Sequence, residues 1–322
     1  MPAQVIVVGS YVQDQTWLVE RFPQVGETLR AHGFNTGPGG KGFNQAIACT
    51  RQGAAVTFIG AIGNDALGGI AQHIAKNENL PCRWQIRNDQ PTAAAGITVN
   101  ARGENQIAIS LGANEHLDAD FVRAQADIFA SARVLLLQME NNLDALAAAL
   151  DLCTQHGLLR VWNPAPVHAD LDLALLRRAD IITPNETEFA LLLQRFGNTK
   201  IDPANLAQQN DATLHALARQ LGIATVVITL GAHGSFVSHG ENQRGDSDAC
   251  YRIAPESVHA IDTTGAGDAF SGALVAALVL FRERPFRDAI RHANRVAALS
   301  TEIVGAAPAM PNYAAVIARF GE

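Results

Sequence analysis

Residues 262–272 read DTTGAGDAFSG. The segment follows a β-rich run at 257–261 and leads into AFSGALVAALVLF, which is apolar round most of its circumference. A strand, a glycine turn and a helix fit to be buried make up one unit of an α/β protein. Gly265 and Gly267 carry no Cβ, so the chain can bend sharply there and approach a ligand. The N–H groups of Gly265, Ala266 and Gly267 would sit at a helix N-terminus, where unpaired donors and the helix dipole favour an anion. Asp268 falls in the first turn beside them. From the residues alone two readings of Asp268 stand. It complements the helix dipole, or it takes a proton from a hydroxyl while the amides steady a transferring phosphoryl group.

Working outward, the same alternation fills the chain. Short apolar runs of strand length occur at 5–8, 56–61, 134–138, 159–162, 181–183 and 226–229. Helical patterns separate them at 41–52, 69–76, 143–154 and 214–221, and the C-terminal third adds 266–281, 286–303 and 313–320. This predicts a parallel sheet with helices on both faces and ligands beyond the C-terminal strand ends. Two stretches break the pattern, 11–37 and 92–111. Their β-like segments at 15–19, 28–36, 94–99 and 105–110 have no helix between them. They form either a small accessory sheet over the strand ends or two long surface loops.

Composition narrows the classes. With 48% hydrophobic and 17% charged residues over 322 positions, the chain has material for a large core and is not of the disordered type. Four scattered cysteines without a CxxC pair exclude a disulfide scaffold. The net charge is −7 and there is no basic run, so no nucleic-acid partner is expected. An acidic surface repels anions at long range, so a phosphate substrate would have to be held by local amides, a metal or chosen cations. No stretch suits a membrane span, and MPAQVIVVGS reads as a first strand rather than a signal peptide. A cytoplasmic protein with reduced thiols is expected.

Other segments also bear on chemistry. GPGGKGFNQA at 37–46 opens a helix and matches GxGxxG. It lies almost thirty residues beyond the first strand, so the dinucleotide reading is discounted, and Lys41 is followed by Gly42 rather than the Ser or Thr of a phosphate-binding loop. What remains is a glycine surface with Lys41 and Asn44, suited to a polyhydroxylated ligand, or a helix start with its lysine in solvent. Asp14 follows the first strand and Glu140 follows the run at 134–138, both where strand ends collect ligands. In TPNETE at 183–188, Asn185 and Glu188 have the spacing of a capping box and could equally hold a hydrated Mg²⁺. TLGAHG at 229–234 reads as a tight strand-to-strand turn. The histidines show no metal-ligand spacing.

Taken together, GGKGFNQA, NPAP at 163–166, TPNETE, TLGAHG and DTTGAGDAF at 262–270 resemble the ribokinase (PfkB) family of carbohydrate kinases, in order and over essentially the whole chain. The resemblance implies one Rossmann-like three-layer αβα kinase domain over 1–322, with a β-sheet lid that often pairs two subunits. It implies an ATP-dependent phosphotransferase acting on a primary hydroxyl, D-ribose at O5. Asp268 would be the base, with Gly265, Ala266 and Gly267 as the anion hole. Asp14, Gly40, Lys41, Asn44 and Glu140 would hold the sugar. Asn185 and Glu188 would help place Mg²⁺ and phosphates, with Glu188 acting through water. Thr229, Gly231 and Gly234 would border ATP, and Asn294 would lie near the adenine. A monovalent cation, K⁺, would fall to Asp262 and Thr264 with Ser300, Ile303, Gly305 and Ala309, several of them through carbonyls.

The chain departs from the family pattern in places. Val12 stands where ribokinases usually carry Asn, and Ala309 where a serine is frequent. Tyr11 and Val12 suggest an apolar wall, and the long polar loop at 241–251 is expected to border the nucleotide. These features leave room for a nucleoside kinase acting on adenosine, inosine or pseudouridine. A sugar- or nucleotide-sensing protein would need no Asp268, and a dehydrogenase would need its GxGxxG elsewhere.

Overall fold

Val5–Val8 is buried on both faces: Ile6 and Val8 join one apolar cluster, Val5 and Val7 the other. Such a strand must lie inside a sheet covered on both sides. The computed structural model, which describes residues 4–321, builds that arrangement. The strands are β1 (Val5–Val8), β2 (Val12–Leu18), β3 (Gly33–Gly39), β4 (Val56–Gly63), β5 (Cys82–Arg87), β6 (Ala94–Val99), β7 (Asn105–Ser110), β8 (Val134–Leu137), β9 (Leu159–Trp162), β10 (Ile181–Ile182), β11 (Thr225–Thr229), β12 (Ser235–His239) and β13 (Cys250–Ile253). The helices are α1 (Lys41–Arg51), α2 (Ala66–Asn77), α3 (Ala119–Arg123), α4 (Ala126–Phe129), α5 (Leu143–His156), α6 (Leu173–Leu176), α7 (Glu186–Phe196), α8 (Asp211–Gln220), α9 (Ala266–Leu280), α10 (Phe286–Ser300) and α11 (Tyr313–Phe320).

The main sheet has nine strands in the order β13-β12-β11-β10-β9-β8-β1-β4-β5. All neighbours pair in parallel except β11–β12 and β12–β13, so one strand near the edge is reversed. One face is covered by the cluster that includes α5, α7 and α8, the other by the cluster that includes α1, α9 and α10. This is the expected three-layer α/β architecture. Side-chain caps set several helix starts. Asn142 accepts from the Ala145 amide at 2.9 Å, and Gly157 ends the same helix in the left-handed conformation at φ 70°.

The two irregular stretches form a second sheet rather than loops, in the order β3-β2-β6-β7. β6 and β7 fall where the alternation puts them. β3 begins later than expected and takes in Gly37–Gly39, because seven-residue pairing with β2 recruits glycines that have no strand signature of their own.

Two expectations fail. Residues 257–261 form no strand; Ile261 is 61% exposed and its amide donates to the Thr301 carbonyl oxygen at 2.7 Å. The β-branched pair Val258 and Ile261 imitated a strand in a segment that instead runs along a cleft. The loop at 241–251, expected at a nucleotide, does not reach the C-terminal strand ends either. β12 runs antiparallel to β11 and pairs His239 with Thr225, so the loop leaves at the N-terminal edge of the sheet, away from Thr229. There Asp246 pins it to His239 at 3.1 Å.

Candidate active site

Glycines bring α1 and α9 onto the sheet. Gly9, at the end of β1, touches Gly42, where an added Cβ would lie 2.6 Å from the Gly9 Cα. On the other side α1 meets α9 at Gly272, where a Cβ would lie 2.3 Å from the Gln45 carbonyl oxygen. The mouth of α9 therefore opens beside the first turns of α1, above the strand ends.

Asp268 is buried at this junction. Its Oδ2 accepts from Asn44 Nδ2 at 3.0 Å and its Oδ1 from Gln45 Nε2 at 2.9 Å. A cavity of about 140 Å³ lies beside it, lined by Lys41, Asn163, Glu188, Gly265 and Gly267 among others. A larger cleft of about 510 Å³ adjoins it, lined by Thr229, Gly231, Gly234, Ser257, Val258 and Asn294 among others. Asn185, Thr229 and Gly267 border both. The larger volume suits a nucleotide-sized ligand. Asn294 Nδ2 is buried in its wall without a hydrogen-bond partner among the described residues.

Three helix mouths face these cavities, and they differ. At α1, Glu140 Oε2 accepts from the Lys41 amide at 2.8 Å and from Ser10 Oγ at 2.5 Å, while the Ser10 carbonyl oxygen takes the Phe43 amide. At α7 the expected capping box is present: the Glu188 amide donates to Asn185 Oδ1 at 2.8 Å and the Asn185 amide to Glu188 Oε2 at 2.9 Å. At α9 the cap residue Gly265, at φ 75°, offers no side chain. The Ala266 amide turns onto the Thr263 carbonyl oxygen at 3.2 Å, which removes one of the three expected donors. The amides of Gly265, Gly267 and Asp268 have no protein acceptor among the described residues.

The carboxylates and Lys41 act on one another. Burial raises the Asp14 carboxyl to about 6, and Glu140 and then Asp268 push the same way. Gly39 makes room for it, since a Cβ there would lie 2.2 Å from Asp14 Oδ2. Burial works against the Lys41 ammonium, but Asp268, Glu140 and Glu188 outweigh it and hold its pKa above the usual value. Glu188 is raised by burial, against the lowering effect of the Asn185 amide and Lys41.

Asp262, Thr264 and Gly305 are brought together elsewhere. Asp262 Oδ1 accepts from the Thr264 amide at 2.9 Å and Oδ2 from the Gly305 amide at 2.8 Å. Burial alone would raise Asp262, but these bonds outweigh it and hold its carboxyl below the usual range. Ser300 turns its hydroxyl back to the Ala297 carbonyl oxygen, and the Ile303 side chain is exposed. Ala309 is buried.

The expected apolar wall is corrected at Tyr11 only. Tyr11 faces the core, edge-on to Phe43 at 5.1 Å, with its hydroxyl on Gln13 Oε1 at 2.6 Å. Val12 lies on the face of the lid that carries Asp14, but packs beneath Ala93 and Ala95. Two buried amides went unread in the sequence, Gln45 and Gln138. Their signal was a glutamine inside an apolar helix and another closing an apolar strand.

The model of the family described as pfkB family carbohydrate kinase matches residues 2–312. The chain belongs to that family. It is thus a sugar kinase, a phosphotransferase acting on a hydroxyl. Within the pfkB family it is 37% identical to a ribokinase of Haemophilus influenzae over 95% of this chain and 94% of the relative. It is 34% identical to a mouse ribokinase over 96% and 92%. A solved Arabidopsis thaliana ribokinase, complexed with ribose and ATP, superposes with a TM-score of 0.83 at 27% identity, covering 99% of this chain and 98% of the other.

Proposed function

We propose that this pfkB kinase transfers the γ-phosphate of ATP to O5 of D-ribose, giving ADP and D-ribose 5-phosphate. The observation that carries this is the position of Asp268, buried in the wall of the small cavity, which adjoins the nucleotide-sized cleft through Asn185, Thr229 and Gly267, with free amides of α9 beside it. The ribokinase names of its relatives and the ribose and ATP of the Arabidopsis complex support it. In this reading 1–322 act as one kinase domain carrying the lid, with residues 1–3 and 322 outside the described structure.

Asp268 accepts the O5 proton as that oxygen bonds to the γ-phosphorus. The bond from that phosphorus to its bridging oxygen breaks, and ADP leaves with the electron pair. The amides of Gly265 and Gly267 receive the charge of the phosphoryl oxygens. Asp14, Gly40, Lys41 and Asn44 hold the sugar on the lid side; Glu140 acts mainly by fixing the start of α1. Thr229, Gly231 and Gly234 flank ATP, and the free Asn294 amide meets the base.

No group of three or more Asp, Glu, His or Cys among the described residues could hold a metal ion. Glu188, beside Asn185, suits a Mg²⁺ that keeps its waters and binds chiefly to phosphate. Bound there, Mg²⁺ would offset charge on the transferring group. The two loops that Asp262 ties together would hold K⁺ through main-chain carbonyls, since both Asp262 oxygens already accept amides. The lid face bearing Asp14 also carries Ile107 and Ile109, 58% and 50% exposed, which supports pairing of two lids in a homodimer. Four free cysteines fit a reducing, cytoplasmic setting.

Tyr11 faces the core rather than the site, which takes away half of the apolar wall on which a nucleoside reading rests. The test is ADP release with Mg-ATP, in K⁺ and in Na⁺, comparing D-ribose with adenosine, inosine and pseudouridine. Turnover with ribose and none with the nucleosides is expected. The reverse pattern would overturn the assignment.

A further inference from the structure

Asp268 is held by two neighbouring amides of α1, and one of them never reaches the substrate. Gln45 is fully buried and does not line the small cavity. A carboxylate can only accept, so the Gln45 amide must present its NH₂ group to Asp268 Oδ1. Its carbonyl oxygen then has to meet a donor. Gln138 supplies it, with Nε2 at 2.6 Å from Gln45 Oε1. The same Gln45 NH₂ reaches Asn163 Oδ1 at 3.1 Å, and Asn163 in turn donates to the Thr183 carbonyl oxygen at 2.8 Å. Gln138 is also fully buried, and a Cβ at Gly9 would lie 2.2 Å from its Oε1.

We infer that Gln45, oriented by Gln138, is a positioning residue for the transfer: it aims Asp268 at the acceptor hydroxyl and keeps it ready to take a proton. The inference rests on the reading of Asp268 as the base. A donor on a carboxylate favours its charged form. The charged groups that face Asp268 from neighbouring elements are Lys41 of α1, Asp14 of β2 and Glu188 of α7. α9 itself brings no other charged side chain. The amides of Asn44 and Gln45 are the donors that fix the two oxygens of Asp268 among these charges.

The test is the pH dependence of kcat and KM for D-ribose in the full-length enzyme. Gln45→Glu keeps the shape and still accepts from Gln138, but turns an acceptor towards Asp268. The acid limb of kcat is expected to move up by about one pH unit or more, with KM changed less than about threefold. Gln138→Met removes only the donor that orients Gln45, and a smaller shift of the same sign is expected. It carries the test if Gln45→Glu does not fold. An acid limb unmoved in the folded variants, or a loss confined to KM, would overturn the inference. Asp268→Asn separates the two readings. Turnover near the normal rate in that variant sinks the base itself. A silent Asp268→Asn beside an unmoved Gln45→Glu limb sinks only the relay.

Discussion

Gly272 and Gln45 meet main chain to main chain: an added Cβ on Gly272 would lie 2.3 Å from the Gln45 carbonyl oxygen and 2.7 Å from the Ala48 Cβ. That approach, one turn along α9 from Asp268, lets Asn44 and Gln45 reach its carboxylate. Gly272→Ala should therefore cost stability and activity together. Helix separation should destabilise the protein by about 1–3 kcal/mol in urea unfolding and lower kcat more than it raises the sugar KM. Unchanged kinetics in a destabilised variant would show that the contact serves packing alone.

Asp268→Asn preserves the volume and polarity of the side chain but removes its basicity. Sugar binding, read by titration calorimetry, should survive, while turnover falls by about 10²–10⁴-fold, the usual contribution of general base catalysis. Binding lost along with turnover would recast Asp268 as a sugar ligand.

Asp14 sets an opposition between stability and function. Burial first, then Glu140 and Asp268, raise its carboxyl to about 6 from 3.8. Between about pH 4 and pH 6 the folded chain holds a proton that the unfolded chain has lost. Stability therefore falls as pH rises through that window, and the cost persists above it. Asp14→Asn should be more stable than the parent by roughly 1–2 kcal/mol at pH 8, with no gain at pH 4 or below. Its KM for ribose should rise. Thermal melts at the two pH values, with ribose kinetics, decide it.

Arg51, at the other end of α1, holds the loop beneath Gly265. Its Nη1 reaches the Met310 carbonyl oxygen at 2.6 Å and that of Ala307 at 3.1 Å, while Glu78 grips the opposite edge of the guanidinium at 2.6 and 3.0 Å. The same loop supports the turn, since a Cβ on Gly265 would lie 2.9 Å from the Ala306 Cβ. Arg51→Met should destabilise by about 2 kcal/mol and reduce kcat with sugar affinity retained, measured by urea unfolding and calorimetry. A fall in sugar affinity instead would place the damage at the N-terminal end of α1.

The elements read best from sequence were those with a clean period. β6 and β7 alternate along their length and fell where expected, and α9 is apolar enough to be recognised as buried. Errors arose where local pattern and tertiary placement part company. Val258 and Ile261 are β-branched, yet their segment runs along the cleft instead of joining the sheet. The tight turn at 229–234 already implies a reversed β12, and that reversal carries the loop at 241–251 to the opposite edge, which its polar composition alone does not reveal. Asp268, Lys41, Asn44 and Asn185 stand out in the sequence because motif residues carry chemical signatures, and the fold brings them to one place. Gln45 and Gln138 do not, because a neutral amide in an apolar run has no signature until its partner is seen.

The three helix mouths differ in a way that bears on how such an enzyme can change. On the proposed sugar side every group except Gly40 is a side chain, and point substitution can exchange it. On the proposed phosphoryl side the available donors are main-chain amides at the start of α9, which no substitution replaces with another chemistry. New acceptor sugars are thus open to stepwise evolution while the transfer step stays the same. Laboratory variation at Asp14, Val12 or Ala95 should alter substrate preference long before it alters the phosphate donor.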